Sequence, residues 1–225
     1  MNSFMIRKLM QKDWYMCRSG IYVSMMIGIA GLIAILLGTG IVFFIGAILL
    51  DLALVLPMMS ITFPVMVNER KDQTLSFVMS LPIGNREYAV SKILLSVSCY
   101  FITWLLLYSG AIAALIIRID ISNSIIPYFT MLCGETLMFF CILLTAAILY
   151  ESELITGIVF GISNIIIQCS VSMGTLFSEK MRESVMSPTM LWNEPIVTII
   201  AIEILVSVLC IATMYNFQLR KRDFL

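Results

Sequence analysis

The sequence predicts an all-α integral membrane protein with six spanning helices. Residues of the AVILMFWYC set make up 60% of the 225 residues, charged residues make up 12%, and mean hydropathy is +1.02. An average soluble domain is about half apolar and about a quarter charged, and a soluble fold of this size could not bury so much apolar surface. The apolar runs are continuous and lack the alternation of barrel strands, so helices are expected.

Six apolar runs are long enough to cross a bilayer, whose core of about 30 Å needs about 20 helical residues. They cover residues 20–38, 41–67, 93–117, 125–149, 154–176 and 195–217. Only short segments separate them, apart from 68–92 and 177–194. We therefore expect residues 1–225 to form a single transmembrane domain.

The distribution of basic residues predicts the orientation. Of the 14 lysines and arginines, eleven lie on the inner side if both termini are cytoplasmic, and three (Arg118, Lys180 and Arg182) lie outside. Such a bias follows the positive-inside rule. It predicts a multi-pass protein of the cytoplasmic membrane.

Composition also excludes several chemistries for this chain. It has no histidine, none of its lysines follows a glycine as in a Walker A loop, and its six cysteines have no C-x-x-C spacing. Five of the cysteines lie in apolar runs, where cysteine behaves as a small hydrophobe. We expect no catalytic residues, no metal site and no nucleic-acid partner.

Residues 4–17 are amphipathic. An apolar face recurs at helical spacing (Ile6, Leu9, Met10, Trp14, Cys17), and basic and polar residues occupy the other face. This pattern predicts an interfacial helix lying in the membrane surface. The alternative is a basic N-terminus that only obeys the positive-inside rule.

The inner segment 68–92 carries the strongest motif. Asn68 can cap a short helix whose start is charged, Pro82 and Gly84 end it, and Asn85 opens a second helix. The first helix has an apolar face of Leu75, Val78 and Met79. An apolar face outside the membrane favours a protein partner.

The stretch NERKDQTLSFVMSLPIGNREYAVSK resembles the first cytoplasmic loop of type-2 ABC exporter permeases. The matching positions are Glu69, Arg70, Thr74, Leu75, Ser80, Leu81, Pro82, Arg86, Glu87 and Lys92. The resemblance covers the whole chain in architecture and residues 68–92 in motif.

This resemblance implies a division of labour between chains. Permeases of the family hold no nucleotide, pair as two six-helix halves, and insert the loop helix into a groove of a separate ATPase subunit. Residues 69–81 would form this coupling helix. The expected partners are an ABC ATP-binding subunit, which would carry ATP and Mg, a second permease copy or paralogue, and membrane lipid. The coupling residues would be Glu69, Arg70, Thr74, Leu75, Val78, Met79 and Leu81. The alternative is an ordinary solvated loop.

Three acids, Asp51, Glu135 and Glu203, lie deep within the apolar runs. Each is roughly ten residues from the outer end of its span, or about 15 Å at about 1.5 Å per residue. Acids at this depth mark substrate or ion pathways, or hydrogen bonds between helices. Both interpretations stay open for each acid.

Small and polar residues form stripes on two spans. Span five carries Gly157, Gly161, Asn164, Gln168 and Ser172, and span one carries Gly20, Ser24, Gly28 and Gly31. Small residues allow helices to approach closely. By resemblance, Gly157, Gly161, Gly28 and Gly31 would pack against the second half, and Asn164 and Gln168 would line the translocation route. The alternative is packing within one subunit.

We therefore expect the membrane-spanning subunit of an ATP-driven exporter that moves an amphipathic peptide, toxin or drug outward. ATP would be hydrolysed by the partner chain, so that this chain is not itself an enzyme. One alternative is an ion-coupled secondary transporter that uses Asp51, Glu135 and Glu203. Another is a membrane scaffold that transports nothing.

Overall fold

The computed structural model describes residues 3–68, 85–118, 123–150, 152–177 and 190–220. Within these ranges the chain forms six long helices, each long and apolar enough to cross a membrane. They are α1 (Ser3–Leu37), α2 (Ile41–Thr62), α3 (Asn85–Ile117), α4 (Ile125–Tyr150), α5 (Glu153–Phe177) and α6 (Glu194–Arg220). A short π-helix, Phe63–Asn68, extends α2. The prediction of an all-α, six-span protein is confirmed.

The outer ends of the helices match the predicted runs within a residue, whereas α1, α3 and α6 extend further at the predicted inner end. At about 1.5 Å per residue, the 35 residues of α1 give a helix of about 50 Å. A bilayer core is about 30 Å thick. These helices therefore continue well past their apolar runs.

Residues 4–17 form no separate helix but the first part of α1. On their apolar face Leu9 and Cys17 are buried, and Trp14 packs partly against the main core. This face thus contacts the helix bundle. A placement of the segment at the membrane surface stays a prediction.

A proline within α2 explains one contact between α1 and α2. Pro57 has no backbone N–H, so it cannot donate to the carbonyl of Ala53 one turn earlier. The Ser24 hydroxyl of α1 donates to that carbonyl oxygen at 2.6 Å. A neighbouring helix thus satisfies the carbonyl that the proline leaves free, as is needed in a membrane.

Glycines bring α1 and α2 into backbone contact. A Cβ on Gly31 would lie 3.0 Å from the Gly46 carbonyl oxygen, and a Cβ on Gly28 would strike the Leu107 side chain of α3 and lie 3.3 Å from the Cβ of Ala53. Gly28 and Gly31 are therefore occupied by contacts inside the chain. These contacts favour the alternative of packing within one subunit at these two positions, and packing against a second copy stays a prediction.

A leucine at position 31 should separate α1 from α2. We expect Gly31→Leu to lower the free energy of unfolding by about 1–3 kcal/mol, the usual cost of overpacking. Ala30→Leu is the control, because Ala30 is its neighbour but is exposed. Thermal unfolding of both variants in detergent measures the difference. Equal melting temperatures would contradict close α1–α2 packing.

Polar clamps join α1, α2 and α3 near both ends. At one end the Lys92 ammonium group donates to Asp13 Oδ1 at 2.9 Å and to the carbonyl oxygen of Val65 at 3.1 Å. At the other end Arg118 Nη1 donates to the carbonyl oxygens of Ile35 and Gly38 at 2.6 and 2.5 Å. A cation at the end of α1 also complements the helix dipole.

Helix α4 lies in the middle of the bundle, and α5 and α6 pack against it. On its other side the Tyr100 ring of α3 stacks on Phe140 of α4, with centroids 3.9 Å apart. The Tyr100 hydroxyl lies 3.3 Å from the carbonyl oxygens of both Leu54 and Thr136. Tyr100 thereby links α2, α3 and α4.

Helix α3 begins at Asn85, where a helix start was predicted, and runs without a break into the third span. The predicted coupling helix falls outside the described residues. The same holds for Glu69, Arg70, Thr74, Leu75, Val78, Met79 and Leu81. Their role stays a prediction.

Candidate functional site: three intramembrane acids

The three deep acids lie on three different helices. Asp51 is on α2, Glu135 on α4 and Glu203 on α6. Each of them has a different environment, and α5 supplies hydrogen-bond partners to the first two.

Asp51 pairs with Gln168, the polar residue that was predicted on the α5 stripe. The Gln168 amide nitrogen donates to Asp51 Oδ2 at 2.5 Å. Both side chains line a cavity of about 150 Å³ between α2, α4 and α5, whose other walls are mostly apolar. The structure therefore brings two predicted pathway residues together beside a cavity.

Glu135 is bound by a residue that the sequence reasoning did not single out as a site residue. The Ser170 hydroxyl of α5 donates to Glu135 Oε1 at 2.9 Å. The Tyr128 hydroxyl donates to the Ser170 carbonyl oxygen at 2.6 Å. Because Glu135 is buried and bonded between α4 and α5, its contacts are those of a structural hydrogen bond.

Glu203 has the most apolar environment of the three. Its side chain is 4% exposed, and its Oε2 is buried with no hydrogen-bond partner in the described part of the chain. The carboxylate lies against Gly134 of α4, where an added Cβ would meet Oε2. Both residues line a cavity of about 370 Å³ between α3, α4 and α6.

These contacts lie at a similar level of the bundle on four helices. Gln168 and Ser170, which bind Asp51 and Glu135, are two residues apart on α5, and Glu135 follows Gly134, which contacts Glu203. The acids nevertheless do not converge on a common point. Over the described ranges, no three cysteine, aspartate or glutamate side chains are placed to hold a metal ion.

The rest of the α5 stripe is divided between two environments. The Asn164 amide donates to the carbonyl oxygen of Phe160 in its own helix at 2.9 Å, and so does not join the acids. Gly157 and Gly161 are exposed, and a Cβ added at either would meet no atom within 4 Å. This part of α5 leaves a shallow groove on the surface of the bundle.

Comparison with known proteins gives no relative. No protein-family model, no curated protein and no solved structure matches this chain. Its function must therefore be argued from its residues and their geometry.

Proposed function

We propose that this protein is the membrane-spanning permease subunit of an ATP-driven exporter. It works as a pair of permeases with a separate ATP-binding subunit, and it moves an amphipathic peptide, toxin or drug out through the cytoplasmic membrane. Both termini are cytoplasmic in this proposal. The proposal combines the loop motif of residues 68–92 with the polar contacts inside the bundle.

The observation that carries the proposal is the Lys92 clamp. The undescribed residues 69–84 are bounded by Asn68, at the end of the π-helix, and by Asn85, at the start of α3. Lys92 joins α3 to Val65 of the π-helix and to Asp13 of α1. A segment that transmits force needs firmly held ends, and this clamp holds both of them to a third helix.

The clamp suggests how ATP hydrolysis acts on the bundle. When the ATPase subunits close, they push the two coupling helices. Each push passes through the clamped ends into α1, α2 and α3, which pack together as a unit. Rigid-body motion of such packed helices is a common form of conformational switching. Movement of this unit relative to α5 would open or close the cavity beside Asp51 and Gln168.

Two features support transport and pairing. The cavity beside Asp51 combines apolar walls with one acid–amide pair, which suits a cargo with an apolar body and a polar group. The open groove at Gly157 and Gly161 leaves space for a close helix from a second permease.

The proposal is tested by placing charges on the predicted coupling face. We expect the double variant Leu75→Asp, Val78→Asp to lose both co-purification of the ATP-binding subunit and ATP-dependent transport, because buried charges oppose docking of an apolar face. The permease should stay folded. Protein is purified from native membranes, and ATP hydrolysis and bound ATPase subunit are measured.

The double variant Met181→Asp, Val185→Asp is the control. It makes the same kind of change in residues 177–194, which are predicted to lie on the outer side of the membrane. It should keep the ATPase subunit. If the Leu75, Val78 variant retains a bound ATPase and normal ATP hydrolysis, residues 69–81 are not a coupling helix.

The ion-coupled alternative rests on the three acids and their contacts across four helices. It predicts uptake or export in sealed vesicles that depends on a proton or sodium gradient and needs no ATP. The proposed ATP-driven exporter needs ATP and no ion gradient. Transport by the purified chain alone, driven by an ion gradient, would favour the secondary transporter.

A further inference from the structure

The cavity beside Glu203 is separate from the one beside Asp51. The first lies between α3, α4 and α6, and the second lies between α2, α4 and α5, so that α4 stands between them. The Glu203 cavity, of about 370 Å³, falls in the range of about 300–1,000 Å³ that is typical of ligand sites. Its walls are almost entirely apolar and include the aromatic rings of Phe101, Trp104 and Tyr108.

One oxygen atom beside this cavity lacks a hydrogen-bond partner. Glu203 Oε2 is buried and has no hydrogen-bond partner among the described residues, although the rest of the side chain is packed. A buried carboxylate oxygen without a partner is costly. An ammonium group, or another organic cation, would supply both the missing contact and the opposite charge.

The residue opposite Glu203 keeps this oxygen in its place. Gly134 has no side chain, and any Cβ there would meet Oε2. The carboxylate is thus accommodated at the wall of the cavity only because position 134 is glycine. This close approach gives a second, independent way to disturb the site.

The walls fit the apolar part of a cation. Trp104 stacks on Tyr108 with ring centroids 5.1 Å apart, and its indole N–H already donates to the carbonyl oxygen of Cys133 at 2.8 Å. The aromatic group is therefore held rigidly. Aromatic rings also attract cations through their π-faces.

The rim of the cavity indicates the route of entry. Phe101, Ile204 and Val208 line it and are 44%, 60% and 58% exposed. They lie on spanning helices, so the membrane interior would cover this rim. A lipophilic cation dissolved in the membrane could enter sideways, with its charged group moving inward to Glu203.

We propose that the Glu203 cavity binds a lipophilic organic cation, with an aliphatic or aromatic body between α3, α4 and α6 and its charged nitrogen beside the Glu203 carboxylate. As an assignment of cargo class, this inference rests on the proposed export function. As a binding site it needs no ATPase, so it can be tested on the purified chain alone.

The test is a binding titration in phosphatidylcholine nanodiscs with 4-phenylbutylammonium, whose NH3+ group can donate the missing hydrogen bond. Trp14→Phe and Trp192→Phe leave Trp104, which lines the cavity, as the single tryptophan. Binding is followed by its fluorescence. We expect saturable binding, and we expect Glu203→Gln to raise the Kd about tenfold or more, a loss of about 1.4 kcal/mol. Gly134→Ala should also weaken binding, because it displaces the carboxylate without removing it.

Two controls separate the site from general lipophilic binding. The neutral isostere of the probe, with carbon in place of nitrogen, should bind more weakly and should not respond to Glu203→Gln. Glu194→Gln should leave the Kd of the cation unchanged, because Glu194 is exposed at the start of α6 and does not line the cavity.

Three results would overturn the inference. They are an unchanged Kd in Glu203→Gln and Gly134→Ala, equal affinity for cation and isostere, and an equal loss in Glu194→Gln. None of these results bears on whether the loop residues Leu75 and Val78 bind an ATPase. If the Leu75→Asp, Val78→Asp variant kept its ATPase subunit, the measured Kd values would likewise be unaffected.

Discussion

Replacing Lys92 with methionine is expected to lower the free energy of unfolding by about 3–5 kcal/mol, the cost of breaking a buried ion pair from one side. The side chains of Lys92 and Asp13 are 2% and 0% exposed and lie 2.9 Å apart. The variant would leave the Asp13 carboxylate buried. Lys12, 3.4 Å from Asp13 and 39% exposed, would compensate only in part.

A second substitution should restore much of this loss. Asp13→Leu combined with Lys92→Met removes both charges, and apolar replacement of a whole buried pair is often neutral or better. Lys8→Met is the control, because the Lys8 side chain is exposed on α1, the helix that also carries Asp13. It should lower the free energy of unfolding by less than about 1 kcal/mol. Denaturant unfolding in micelles measures all of these variants. A Lys92→Met protein as stable as the Lys8→Met protein would show that the clamp does not stabilise the bundle.

The same clamp shows where prediction from sequence stopped. Hydropathy located the six spans because apolar length alone decides what crosses a bilayer. Hydropathy did not include the extensions of α1 and α3, which were predicted instead by the helical periodicity of residues 4–17 and by the helix start at Asn85. Lys92 entered the sequence reasoning only as an inner-side charge and as a matching position of the loop motif, and Asp13 was not singled out. Their pairing joins residues 79 positions apart, and only the packing of α1 on α3 brings it about.

The acids were found by the same reasoning, but their partners were not. An acid within an apolar run is conspicuous in sequence, and so is Gln168. The rotation of each helix decides which polar residue meets which acid. For this reason Asn164 bonds within its own helix while Gln168 reaches Asp51, and Ser170 takes Glu135.

The glycine stripes show most directly that a sequence pattern does not determine which helices pack together. The pattern on α1 resembles the one on α5, yet a Cβ on Gly31 would touch the backbone of α2, whereas a Cβ on Gly161 would meet no described atom within 4 Å. A run of small residues predicts that some helix can approach closely, but it does not say which helix. In α1 that helix is α2 of the same chain, and in α5 the position is open.

The open position leads to the last expected result, which concerns pairing of two permeases. We expect Gly161→Leu to shift the equilibrium from paired to single permeases by more than about tenfold, since about 1.4 kcal/mol suffices for a tenfold change. Membrane helices that meet through small residues are held together by close van der Waals packing. A leucine at position 161 would hold the two helices apart, and it should leave the single subunit as stable as before because a Cβ there meets no atom of the described residues within 4 Å.

The control for Gly161→Leu must add apolar bulk to a spanning helix without disturbing the bundle. Gly134→Leu is unsuitable, because its side chain would strike Glu203 and disturb the bundle itself. Ala201→Leu on α6 is suitable, since Ala201 is exposed and the change also adds apolar bulk to a spanning helix. Cross-linking in membranes and mass measurement in detergent report the paired fraction. If both variants pair as well as the parent protein, α5 faces lipid at Gly161 and the second copy binds elsewhere. If only Gly161→Leu loses the pair, the groove on α5 is the surface through which two permeases meet.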